Sequence, residues 1–64
     1  MREVAVIKDG PKPDQVVWDE EYHFSRLSAP GDVIIRDSIQ YVVVSCKKVD
    51  DTIHTVLRCQ GKPK

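Results

Sequence analysis

Residues 33–59 read VIIRDSIQYVVVSCKKVDDTIHTVLRC, and this stretch decides the fold. Three runs rich in β-branched residues, 33–36, 39–48 and 52–59, are separated only by the short polar links Asp37-Ser38 and Asp50-Asp51. Such runs joined by two-residue links read as consecutive antiparallel strands, because a tight turn leaves the chain no length to cross over. The expectation is a three-stranded antiparallel meander. With both links as two-residue turns, Val33 stands opposite Val42, Val44 opposite Leu57, and Cys46 opposite Thr55. Side chains alternate between the faces of a strand. One face then collects Val33, Ile35, Gln40, Val42, Val44, Cys46, Ile53, Thr55, Leu57 and Cys59, and reads as the core. The other carries Ile34, Ile39, Tyr41, Val43 and Val56 among Arg36, Ser45, Lys47, Thr52, His54 and Arg58.

That second face is too apolar for a sheet with one wet side. Full burial of an aliphatic side chain is worth about 1.5–3 kcal/mol, so leaving five in water forgoes an amount comparable with the whole stability of a small domain. Something is expected to cover them: the N-terminal strands curling over, or a second copy of the chain. Ile39, Tyr41, Val43 and Val56 are the residues expected to self-associate.

Working outward, residues 3–8 (EVAVIK) form a further short apolar run, stopped by Asp9-Gly10-Pro11. Pro11 and Pro13 fix φ and remove donors, which makes residues 9–14 a loop. Between 15 and 27, Val16-Val17-Trp18 and Tyr22-His23-Phe24 read as two strand pieces interrupted by the acidic run Asp19-Glu20-Glu21. A short helix from Asp14 is the alternative. Ala29-Pro30-Gly31-Asp32 has the residues of a turn, with Pro and Gly at its centre. The sum is an all-β chain of about five strands: one domain over 1–60, resembling in architecture a small SH3-like or OB-like barrel, and a basic tail at 61–64 expected to be disordered.

Sixty-four residues make one domain with a marginal core. Ten basic side chains balance ten acidic ones, and 41% of residues are hydrophobic, a composition that folds rather than stays disordered. No apolar run approaches a membrane span, and Met-Arg-Glu-Val lacks the basic-then-apolar order of a signal peptide, so a cytoplasmic location is expected. The balance hides a polarity. Residues 1–32 carry four basic groups (Arg2, Lys8, Lys12, Arg26) against seven acidic ones (Glu3, Asp9, Asp14, Asp19, Glu20, Glu21, Asp32). Residues 33–64 carry six basic groups (Arg36, Lys47, Lys48, Arg58, Lys62, Lys64) against three acidic ones (Asp37, Asp50, Asp51). Halves of opposite sign attract, which suits association.

Sites for chemistry are few. In the expected register Cys46 and Cys59 share a face but lie roughly 13 Å apart along the strands, beyond the reach of a disulfide, and they read as free, buried thiols. No spacing of Cys46, Cys59, His23 and His54 suits a metal, and no cofactor motif is present. Serines lack a nucleophile context, and neighbouring carboxylates on a strand point to opposite faces, so no enzyme is expected. A single-stranded nucleic acid is an alternative ligand, since Trp18, Tyr22, Phe24 and Tyr41 alternate with Arg26, Arg36 and Arg58. Zero net charge weighs against it. The leading expectation is a non-enzymatic module that binds another protein, with Trp18, Asp19, Glu20, Glu21 and Tyr22 presenting an aromatic anchor inside an acidic rim, and with a homodimer as its assembly.

Overall fold

The β-branched runs become strands, and the proline- and glycine-containing links become turns. A computed structural model describes residues 1–8, 10–23 and 26–62 and holds five strands: β1 Arg2–Ile7, β2 Gln15–Glu21, β3 Val33–Arg36, β4 Ile39–Val49 and β5 Thr52–Gly61. They form one sheet in the order β2-β1-β5-β4-β3, curled into an open half-barrel, with no helix among the described residues. β1 with β2, β3 with β4 and β4 with β5 pair antiparallel, whereas β1 and β5 pair in parallel and join the two ends of the chain at the middle of the sheet. A parallel pair needs a long crossover. Here everything from β2 to β4 supplies it.

Turn chemistry is local and behaves as the residues dictate. Asp37 and Ser38 both have positive φ, 52° and 65°, the signature of a type I′ hairpin turn, whose twist matches that of its strands. Asp50 adopts φ 55° in the second hairpin. At Pro30-Gly31 the Asp32 N–H donates to the Ala29 carbonyl at 3.0 Å, Gly31 takes φ 94°, and the Asp32 carboxylate accepts the Ala29 N–H at 2.8 Å. This is a type II turn.

The β4–β5 register slips at two points, and the one at Val44 has large consequences. Next to the second turn Cys46 opposes Thr55, Lys47 opposes His54 and Lys48 opposes Ile53, as two-residue geometry requires. The pairing then slips: Ser45 faces Val56, Val43 faces Leu57, and Val44 has no partner. This is a β-bulge, one extra residue on β4. Every β4 residue before it therefore changes face, and β3, paired to that part of β4, changes with it. Tyr41 and Val43 enter the core, on the concave side with Ala5, Trp18 and Leu57, and Ile34 and Ile39 pack against them. Val33, Ile35 and Val44, expected inside, stand on the convex face, 57%, 60% and 48% exposed. The β4–β5 pairing slips back between Gln40 and Tyr41, where Gln60 of β5 is the extra residue. A third slip lies between Ala5 and Val6 on β1, where Val17 of β2 is the extra residue, so that Trp18 opposes Ala5 while Val16 opposes Val6.

Two further differences concern the N-terminal half. The acidic run does not interrupt β2 but completes it, since Asp19, Glu20 and Glu21 pair with Val4, Glu3 and Arg2. Tyr22 and His23 follow the strand instead of starting another, and Phe24 lies outside the described residues. At the C-terminus β5 runs to Gly61 and Lys62 is exposed; Pro63 and Lys64 of the expected tail lie outside the described residues. Among the described residues no helix is long and apolar enough to cross a membrane.

Candidate binding cleft at the mouth of the half-barrel

β2 and β3 are the two edges of the curled sheet, and side chains on its concave face reach across between them. The Arg36 guanidinium on β3 donates to both Glu20 carboxylate oxygens on β2, each at 2.6 Å. It also lies over the Trp18 ring, 4.6 Å from the centroid. Trp18 in turn meets Tyr41 edge to face, with centroids 5.9 Å apart and planes at 79°. A bidentate carboxylate contact and a stacked ring both use the flat guanidinium, which a lysine would not reproduce.

Beneath this bridge sits a buried carboxylate. Glu3 alternates with Ala5 along β1, so the strand that inserts Ala5 into the core inserts Glu3 beside it, 7% exposed. A carboxylate removed from water needs donors. Glu3 receives two: the Trp18 indole Nε1–H at 2.7 Å and the Thr55 hydroxyl at 3.0 Å, with Cys46 Sγ 3.5 Å from the same hydroxyl. No buried side-chain polar atom among the described residues is left without a partner.

These residues surround a cleft of about 360 Å³ lined by Glu3, Trp18, Glu20, Glu21, Tyr22, His23, Ser28, Ile34 and Arg36. One wall is the segment after β2, fastened where the Tyr22 hydroxyl donates to the Arg26 carbonyl at 2.7 Å. The electrostatics follow from the pairs. Hydrogen bonds from Arg36 hold the Glu20 carboxyl below its ordinary range, and Glu20 raises Arg36 in return. The Met1 ammonium, 2.7 Å from Glu21, lowers that carboxyl too. Burial raises the Tyr22 phenol, helped by the charge of Glu3.

Of the five residues expected to meet a partner, Trp18, Glu20, Glu21 and Tyr22 come together here. Trp18 is only 8% exposed and forms the floor of the cleft instead of a projecting anchor. Asp19 points to the convex face, where Arg2 donates to both of its carboxylate oxygens and lowers its pKa. Glu3, Arg36, His23 and Ser28 were not anticipated in the cleft. Glu3 alone had a signal in the sequence: it is a charge in phase with Ala5 and Ile7.

The four residues expected to self-associate do not share a face. Ile39 packs on the core, Tyr41 and Val43 belong to it, and only Val56 stands on the convex side, half-buried. Cys46 and Cys59 are free, but Cys59 is exposed rather than buried. His54 opposes Lys47 on the convex side, away from both thiols. Among the described residues no three His, Cys, Asp or Glu side chains gather as a metal would need.

No family model, no curated protein and no solved structure matches the chain.

Proposed function

We propose that this chain is a non-enzymatic protein-binding module of the assembly or regulatory kind, a cytoplasmic, self-associating small barrel of SH3-like or OB-like architecture. The observation that carries the reading is the convergence of Trp18, Glu20, Glu21 and Tyr22 on one open cleft beside an unpaired sheet edge. The free edge of β2 presents backbone donors and acceptors, on which an extended segment of another protein can add as a further strand. Its side chains would enter the cleft, whose three carboxylates, two of them already paired with Arg36 and the Met1 ammonium, leave a balance that favours basic residues. The alternative ligand, a single-stranded nucleic acid, loses support on two counts. Trp18 and Tyr41 are packed against one another in the core rather than laid out as a stacking platform, and carboxylates crowd the cleft.

The test is affinity capture from the native lysate with the wild type and with Glu21→Lys and Tyr22→Ala. The reading expects a protein retained by the wild type and lost by both variants while each still gives the circular dichroism of the folded chain. Retention of single-stranded DNA that weakens steeply with salt, or a partner indifferent to both changes, contradicts it.

A further inference from the structure

The convex face of the sheet is the least satisfied surface of the molecule. Val16, Val33, Ile35, Val44 and Val49 stand exposed on it, and Val4, Val6, Val42 and Val56 are only half-buried there. Among the described residues, a core of six buried hydrophobic side chains is thus matched by a larger number of aliphatic ones left on the outside. Contiguous apolar surface of this kind on a small domain marks an interaction site.

We propose that this face is covered by the same face of a second copy, across a two-fold axis that runs along the strands between β1 and β5. The inference rests on the self-association in the reading above and assigns its surface. The strand register carries it. One row across the convex face is Val16 on β2, Val6 on β1, Val56 on β5, and Ser45 with the bulged Val44 on β4. The next row is Asp19, Val4, His54 and Lys47, in the same strand order. A half-turn about the proposed axis exchanges β1 with β5 and β2 with β4. It therefore lays Val6 on the partner's Val56, Val16 on the partner's Val44, and Asp19 on the partner's Lys47. The apolar row meets itself, and the charged row meets its opposite sign. The chain's polarity, acidic before residue 33 and basic after it, then has a geometrical use.

The symmetry closes the contact over four strands, β2, β1, β5 and β4, and leaves β3 with Val33 and Ile35 outside it. Two sheets related in this way pack with their strands nearly aligned, as sheet sandwiches do, and the contact is isologous and closes at two copies. The bulge at Val44 has a role here: it delivers an extra aliphatic side chain to the outer face where Val16 of the partner arrives.

Sedimentation equilibrium over a wide concentration range tests the proposal. Wild type is expected to reach twice the chain mass of 7.3 kDa, and Val16→Lys and Val44→Lys to remain at the single-chain mass with folded circular dichroism, since both side chains are already exposed. Asp19→Lys and Lys47→Asp are each expected to weaken dimerisation at least about tenfold by placing like charges together, and the double swap to restore it to within about threefold. Single-chain mass at every concentration overturns this interface and the self-association with it. A dimer that survives both lysine variants, or charge swaps without rescue, overturns this interface alone and leaves self-association standing.

Discussion

Glu3 occupies a position where β1's alternation would ordinarily place an aliphatic side chain. Its carboxylate is the acceptor for two buried donors, Trp18 Nε1–H and the Thr55 hydroxyl, which come from different strands. Removing it orphans both. Glu3→Ala is expected to lower the unfolding free energy by about 2–3 kcal/mol in urea titration, from the cost of unsatisfied buried polar groups. Glu3→Gln keeps an acceptor and is expected to cost less than half of that. Trp18→Ala should be worse, at about 3–5 kcal/mol, because it empties the floor of the cleft and the middle of the core together. If Trp18→Ala melted like the wild type, the ring would not be core. In the opposite direction, Ser38 holds φ 65° in the first hairpin, a conformation glycine adopts without a Cβ penalty. Ser38→Gly is expected to stabilise by about 0.5–1 kcal/mol, seen as a higher thermal midpoint.

Among the elements, β4 shows what is legible in a sequence and what is not. Strand limits were readable because they depend on local chemistry: β-branched runs, two-residue polar links, and a Pro-Gly turn. β3 coincides with its run, and β4 and β5 extend one and two residues past theirs at the C-terminal ends. The phase of β4 was not readable. Val42, Val43 and Val44 are identical, so the hydrophobic pattern is the same whichever of them faces inward, and a bulge among them leaves no trace. Only contacts remote in sequence select Val43, among them its N–H donated to the Asp32 carbonyl and its own carbonyl accepting from Gly31 N–H. Stability measurements separate these valines. Val43→Ala is expected to cost about 2 kcal/mol, and Val44→Ala, measured at concentrations where the chain is single, less than about 0.5 kcal/mol. Equal losses would contradict the bulge. β2 is the complementary case. Its acidic run looked like a strand breaker because its partners, Arg2 and Arg36, lie far along the chain.

On the scale of the whole molecule, an open half-barrel has two edges to manage. Here they are spanned by Arg36, which grips Glu20 and covers Trp18. Asp19, Glu20 and Glu21 all have lowered pKa values in the folded chain. Their pairs therefore stabilise above the ordinary carboxyl values of 3.8 and 4.5, and that contribution disappears as the pH falls through the lowered values. Thermal midpoints are expected to drop on acidification through this window, less steeply in Glu20→Gln and less steeply at high salt, because the groups are exposed and screened. A midpoint flat across the window would remove the ion pairs from the account of how the mouth is held. The parallel pairing of β1 with β5, which joins the chain's ends and places Val6 beside Val56, had no local signature. It depends on the curl of the entire sheet, as does the gathering of the cleft.

Both the cleft and the outer face follow from one extra residue in β4, and cross-strand contacts between backbone protons, read by nuclear Overhauser effects in solution, report its position directly. The account predicts Val43 opposite Leu57 and Ser45 opposite Val56, with Val44 unpaired. Contacts placing Val44 opposite Leu57 and Val42 opposite Cys59, an unbroken ladder, would turn Tyr41 and Val43 outward and contradict it.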